Sequence, residues 1–231
     1  MKKLNESDND FVCDIQAPCF QELMSEEMQF IKQNKTQVSF RKGENLTKQG
    51  AFASCILFIL DGLVKQFLEI DTSKNLNVRL LQSGDFIGLT SVFSKPTYDI
   101  STIALRETKA YLVEKQAIET LIVQNGKFAK SIMQRHVEQE SHIYTLLKNL
   151  QLKQMNGRLA DILLYLSSPQ FVGENVFSTL SRKDIAEFAG ISTESAVKLL
   201  KTYEKENLIK LNDKEIEILN PVELSEISKR G

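Results

Sequence analysis

Histidine and cysteine are scarce in this chain, and their scarcity removes whole classes of chemistry. There are two histidines in 231 residues, His136 and His142. A nucleophilic triad sets a histidine base between a nucleophile and an orienting acid, and two histidines on one expected helix provide no such arrangement. No HExxH, Walker loop or GxGxxG stretch occurs, so zinc-protease, P-loop and dinucleotide chemistry lack their signatures. The protein is therefore read as a non-enzyme. Three cysteines, Cys13, Cys19 and Cys55, are too few for a disulfide scaffold and fit a reducing compartment. No apolar run approaches the ~20 residues of a membrane span. The opening "MKKLNESDND" lacks the apolar core of a signal peptide. A cytoplasmic protein without membrane contact is expected. Charge is balanced too: 29 Lys and Arg against 30 Asp and Glu. Any polyanion partner must then be met by a local patch.

What is present is enough apolar residue for real cores, 42% of the chain, in a length that suits one large or two small domains. The texture changes twice. "QELMSEEMQFI" places Leu23, Met24, Met28 and Ile31 on one side of a short helix. From Val38 to Glu114, short apolar runs alternate with a period near two and are broken by turn residues every 8–12 positions, which predicts a sandwich or barrel of strands. Gly43, Gly50, Gly62, Gly84 and Gly88 stand where such turns need a positive φ or no Cβ. "KQAIETLIVQN" then reads as a short helix. Beyond Gly126, "KFAKSIMQRHVEQESHIYTLLKNLQ" contains neither Pro nor Gly. In it Ile132, His136, Gln139, Ile143, Leu146 and Leu150 recur at spacings of four and three, a heptad-like seam expected to pair two copies of the chain. "NGRLADILLYLSS" gives a helix with Leu159, Ile162, Leu163 and Leu166 as its stripe, stopped by Ser167, Ser168 and Pro169.

The last stretch carries the most specific signal. Ser181 followed by Asp184 resembles a capping box. Ile185, Ala186 and either Phe188 or Ala189 give that helix a buried side, and Gly190 permits the left-handed backbone that ends it. Ser192 or Thr193 caps the next helix. Its apolar face draws on Val197, Leu200 and either Tyr203 or Leu199, which leaves Thr193, Glu194, Lys198 and Lys201 outside. "LIKLNDKEIEIL" reads as a two-stranded wing. Two helices joined by a short glycine-bearing turn form a helix-turn-helix, whose second helix sets its first residues against base edges in the major groove. Arg182, Lys183, Lys198, Lys201, Lys210 and Lys214 flank this face, and local cations are what counterion release requires.

A glycine-punctuated β-roll, a long helix, "NGRLADILLYL" and "LSRKDIAEFAGISTESAVKLLKTYEKENLI" together resemble the CRP/FNR family of bacterial transcription regulators, from about Gln21 to Leu219. The "TESA" form of the second helix is similar to Bacteroidetes members. The resemblance implies an α+β fold: a cyclic-nucleotide-binding-type β-roll (jelly roll), a long dimerisation helix and a C-terminal winged helix-turn-helix. The corresponding segments are 1–125, 126–153 and 154–231. It also implies that Arg182, Lys183, Ser192 and Ser195 bind phosphates and that Glu194 reads a base, since a carboxylate accepts from a cytosine amino group. Lys198 stands where many members carry a guanine-reading arginine and lacks its planar fork. Thr193 replaces another frequent arginine, so neither well-known family operator is assigned.

The sensor end departs from the family's known ligands. "GDFIG", Gly84 to Gly88, matches the nucleotide-binding turn, but Asp99 and Ile100 stand where the Arg-Ser pair should hold the phosphate. A carboxylate there repels what an arginine would bind. Ile143 and Tyr144 replace the small hydroxyl residues expected to reach the purine. Cys13 and Cys19 keep the spacing of two cluster ligands, but a cubane takes four thiolates, and Asp10 and Leu112 occupy the other two positions. Haem is disfavoured because His136 and His142 do not share a helix face as i and i+4 residues would. The cofactor is left unknown. Candidate pocket residues for an unidentified small-molecule effector are Phe86, Ile87, Gly88, Leu89, Asp99, Ile100, Ser101 and Tyr144.

The expectation is a cytoplasmic homodimer that does not respond to cAMP, binds a pseudo-palindromic double-stranded DNA operator and works with RNA polymerase. A signal at the roll would rotate or shift the long helix about a hinge near Gln154–Gly157. The alternative from another class is a β-roll adapter whose winged helix contacts protein.

Overall fold

The structure is a computed structural model that describes residues 1–5, 8, 18–71 and 74–231, with backbone alone at 18–19 and 139–142. Cys13 and Asp10 lie outside the described residues, as do the side chains of Cys19, Gln139 and His142. In chain order come β1 (Lys2–Leu4), a 3₁₀ turn (Pro18–Glu22), α1 (Ser25–Gln33), β2 (Lys35–Phe40), β3 (Asn45–Thr47) and β4 (Cys55–Asp61). They are followed by β5 (Leu63–Glu69), β6 (Asn75–Gln82), β7 (Phe86–Ile87), α2 (Thr90–Phe93), β8 (Ser101–Ala104) and β9 (Thr108–Glu114). The helices α3 (Lys115–Gln124), α4 (Gly126–Leu152) and α5 (Met155–Leu166) come next, then a second 3₁₀ turn (Pro169–Phe171). The chain ends in α6 (Val176–Thr179), α7 (Arg182–Ala189), α8 (Thr193–Lys205), β10 (Ile209–Asn212), β11 (Glu215–Ile218) and α9 (Pro221–Arg230). Compactness divides the chain into two units. The first is Met1–Phe67 with Leu80–His142, and the second is Leu68–Arg79 with Ile143–Gly231. The division passes through β5, β6 and α4 rather than at the ends of α4, where the segments 1–125, 126–153 and 154–231 would place it.

The first unit is built on two sheets, ordered β1-β2-β9-β4-β7 and β3-β8-β5-β6. Strand β4 explains why its sequence is an unbroken apolar run. Successive strand residues point to opposite faces. Ile56 and Phe58 therefore enter one cluster while Leu57 and Ile59 enter another, and all four are buried. The second cluster draws on both sheets through Val38, Val64, Ala104 and Ala110. The first is closed by helices, with Ile31, Ile118, Leu121, Phe128 and Ile132 packed on it. Phe20 lies at its centre, edge-on to Phe58 at 5.4 Å between ring centroids. Gly43, Gly50, Gly62, Gly84 and Gly88 all have positive φ.

Helix α1 begins later than its periodicity predicts. Met24 precedes it and is 67% exposed, because its N–H is bound by Glu27 Oε2 at 2.8 Å and starts the helix at Ser25. Leu23, Met28 and Ile31 do pack on the first cluster.

In the second unit α5 is the hub, with Leu159, Leu163 and Leu166 buried. Helix α9 packs on it and was not expected from the sequence. Asn220 Oδ1 accepts from Glu223 N at 3.1 Å and Pro221 occupies the first turn, a local start signal of the usual kind. Gly157 meets the end of α9 so closely that a Cβ would lie 2.9 Å from Gly231 Cα. The expected hinge at Gln154–Gly157 is strapped from both sides. Asp161 accepts from both Lys153 and Ser228, Lys153 Nζ reaches Ser228 Oγ at 3.0 Å, and Arg158 Nη1 donates to Leu150 O at 3.1 Å. This set of half-buried bonds ties the α4–α5 junction to α9.

Candidate nucleic-acid interface

Helix α7 starts as its sequence dictates. Ser181 Oγ accepts from Asp184 N at 3.1 Å, and Asp184 Oδ2 accepts from Ser181 N at 2.8 Å. Two backbone donors that the first helical turn leaves unpaired are thereby satisfied. Ile185, Ala186, Phe188 and Ala189 are buried beneath it. Gly190 then takes φ +62, and a Cβ there would lie 2.6 Å from Leu150 Cδ2. Both the backbone and the close approach require glycine. Ser192 opens α8, its Oγ accepting from Ser195 N at 3.1 Å and lying 2.9 Å from Ser195 Oγ. Ser192 is thus the cap, and Thr193 is the first helical residue.

The two sides of α8 divide cleanly. Ala196, Leu200 and Tyr203 are buried, and Tyr203 donates its hydroxyl to Asn156 O at 2.7 Å. Burial raises the Tyr203 pKa, so the hydroxyl stays a donor. Ala196 was missed in the sequence because one methyl is a weak periodic signal, although it lies four residues before Leu200. On the opposite side Ser192, Thr193, Glu194, Lys198 and Lys201 are exposed, with Ser195 half-buried. Glu194 is in the first turn, where the helix dipole favours a carboxylate. Lys183 is 60% exposed and lies 3.7 Å from Glu187, one turn along α7.

The wing is tied to the helices by two side chains. Strands β10 and β11 pair with Leu211 opposite Ile216, and Glu204 Oε1 on α8 accepts from Leu211 N at 3.0 Å. Arg182 Nη2 donates to Asp213 O at 2.7 Å, and Nη1 to Lys214 O at 3.4 Å. Arg182 is therefore already engaged as the clamp on the wing turn. Burial lowers its pKa, against the nearby Asp213 carboxylate, which raises it. Lys210 and Lys214 remain exposed on the wing.

Along α4 the residues of the expected seam differ in exposure. Ile132 is 0% exposed and belongs to the first unit's own core, so it has no surface left for a partner. His136, Leu146 and Leu150 are half-buried, and Leu150 packs at Gly190. Ile143 is 41% exposed. The residues standing out are Met133 and Val137, then Tyr144 and Leu147 with Ile143, which keep the steps of four and three one residue later.

The effector candidates are mostly packing residues. Phe86 and Leu89 belong to the first apolar cluster and Ile87 to the second, and each is under 4% exposed. A Cβ on Gly88 would lie 2.7 Å from the Tyr98 ring. Tyr98 donates to Cys55 O at 2.7 Å, and burial together with the Cys55 thiol pushes its pKa up to about 12. Ser101 is buried and accepts from Gln49 N at 2.8 Å. Thr47 Oγ1 donates to Ile100 O at 3.3 Å, and Asp99 is exposed. Tyr144 belongs to the second unit and is 63% exposed. Among the described residues, no group of three or more His, Cys, Asp and Glu could hold a metal ion, and no helix is long and apolar enough to cross a membrane.

Comparison with known proteins agrees with this layout. Residues 37–125 match the family description "Cyclic nucleotide-binding domain", and residues 157–227 match "Crp-like helix-turn-helix domain". The Anaerobic regulatory protein of Bacillus subtilis is 23% identical over 202 residues, 85% of each chain. The cAMP-activated global transcriptional regulator CRP of Escherichia coli is 26% identical over 187 residues, 74% of this chain and 83% of its own. A solved crp/fnr-family regulator from Eubacterium rectale superposes with a TM-score of 0.76 at 16% identity, over 92% of this chain and 98% of that one.

Proposed function

Since the chain belongs to the CRP/FNR family of transcription regulators, we propose that it acts as a cytoplasmic homodimer on a pseudo-palindromic DNA operator. The observation that carries this reading is the division of α8. Its buried side is spent on its own unit, while Thr193, Glu194, Lys198 and Lys201 are left exposed at the end a recognition helix presents to base edges. Glu194 accepts from a base amino group and Lys198 donates to guanine, while Lys183, Lys201 and the Ser192 and Ser195 hydroxyls meet phosphates. Arg182 acts through the wing, holding the Asp213–Lys214 turn against the same groove. Dimerisation uses the exposed stripe Met133, Val137, Ile143, Tyr144 and Leu147, which sets two recognition helices about 34 Å apart, one turn of duplex.

RNA polymerase is the partner through which such a regulator acts, and a signal reaches the DNA-binding helices by moving the long helix. The coupling required is modest, typically about 1–3 kcal/mol. The nucleotide of the family's domain does not fit this chain. Asp99 and Ile100 offer no cation to a cyclic phosphate, Ser101 is already bound to the backbone, and Phe86, Ile87 and Leu89 are core. These residues support a reading in which the chain does not respond to cAMP.

The test is to select genomic fragments with the purified chain at two salt concentrations. A two-fold symmetric motif is the expected outcome, and retention of no sequence at either salt would overturn the reading in favour of a protein-binding adapter. With the motif known, Glu194→Ala should relax preference at one position of each half-site by roughly 1–3 kcal/mol while other positions keep theirs.

A further inference from the structure

The segment Leu68–Arg79, the tip of the β5–β6 hairpin, belongs by compactness to the same unit as the helix-turn-helix. The attachment is specific. Asn77 is 0% exposed and its amide donates to Asp184 O, in the first turn of α7, at 2.8 Å. The same amide's oxygen is buried with no partner, so the bond to α7 is what this side chain gains from its position. Leu76 Cδ1 and Leu150 Cδ2 both approach the turn at Gly190. Beside this anchor lies an open cleft of about 490 Å³, all of it within the second unit. Ile70, Lys74 and Leu76 of the hairpin line it together with Lys183, Glu187, Ser192 and Thr193. Lys74 is exposed.

Resting on the DNA-binding reading above, we propose that the hairpin tip is part of the DNA interface and that Lys74 is a backbone-phosphate contact. Three groups named there for DNA, Lys183, Ser192 and Thr193, line the cleft that Lys74 also lines, so a phosphate strand approaching them passes the Lys74 ammonium. The Asn77 bond ties the strand that follows Lys74 to α7. A lysine held at the groove releases a counterion without reading sequence. The roll's own hairpin would thereby add to affinity and leave specificity to α8.

The experiment measures binding of the full chain to a short mixed-sequence duplex across a salt series. Lys74→Gln should lower the slope of log affinity against log salt by roughly 0.9 for each chain on the DNA, and Lys74→Arg should restore it. Asn77→Ala, which keeps the charge but frees the hairpin, should lower the slope in the same direction. If Lys74→Gln leaves the slope unchanged while Lys183→Gln lowers it, the proposal is overturned and the DNA-binding reading stands. Tighter binding by Lys74→Gln would also overturn it, showing that the hairpin obstructs the face. If the parent chain forms no complex even at low salt, the failure lies with the DNA-binding reading.

Discussion

Residues singled out in the β-roll and in the winged-helix unit meet opposite fates on folding. In the roll, Phe86, Ile87 and Leu89 are withdrawn into apolar clusters, and Ser101 is bound to backbone. In the second unit, Thr193, Glu194, Lys198 and Lys201 stay in solvent while Ala196 and Leu200 between them are buried. Exposed polar side chains on a well-capped helix cost nothing to keep and are free for a partner from outside the chain. Apolar side chains already packed on their own domain would have to be extracted before a ligand could use them. Helix α4 repeats the contrast within one element, since Ile132 is 0% exposed and Leu147 is 55% exposed.

The largest effect should come from testing that contrast along α4. Ile132→Ala should destabilise the first unit by about 2–5 kcal/mol, the usual cost of truncating a fully buried aliphatic side chain, read as a lower midpoint in denaturant. Leu147→Glu should leave the midpoint nearly unchanged and shift sedimentation to the monomer. The reverse pattern would return Ile132 to the seam. Next in size is Gly190→Ala. The left-handed backbone alone costs about 1–2 kcal/mol for a residue with a Cβ, and the Leu150 methyl must also move. Operator affinity should fall with stability, and thermal melts compared with DNA titrations would show whether the two losses track.

Ser181→Ala should cost about 1 kcal/mol by removing the acceptor from Asp184 N, and Ser181→Thr should recover most of it in the same melt. The smallest effect belongs to the roll's surface. Arg106 donates to both Asp61 oxygens, at 3.0 and 3.1 Å, and this bond holds the Asp61 carboxyl below its usual pKa. A depressed carboxylate pKa gives stability that is full above the unfolded value, near 3.8. It is lost as pH falls through the folded value. Because the pair is largely solvent-exposed, it is worth at most about 1 kcal/mol. Arg106→Gln should cost that much at neutral pH and nothing in strong acid, checked by urea melts across the acid range.

These contrasts also separate what was legible in the chain. The Ser181–Asp184 box, the Gly190 stop, a cap at Ser192 or Thr193 and the turn glycines of the roll were readable because each is satisfied within a few residues of itself. Helix α9 carried an equally local signal in Asn220–Pro221 that went unused. Which apolar residues of α4 stay exposed was not readable. A period of three and four fits the set containing Ile132 and the set one residue later almost equally, and only the roll's core, assembled from strands far apart in sequence, decides which set is consumed. Arg182 looked like a free phosphate ligand because nothing near it in sequence shows the wing turn folding back to Asp213 and Lys214.

The sequence by itself determined the helix-turn-helix, its Gly190 stop and the polar face of α8, since hydrogen bonds within one turn and apolar periodicity are local physics. Tertiary structure alone decided which apolar residues of α4 stay exposed. It also fastened the α4–α5 junction through Asp161 and Ser228, and it grouped Leu68–Arg79 with the helix-turn-helix. Those choices depend on contacts between segments tens of residues apart, where burial competes among many apolar candidates and only the assembled core selects.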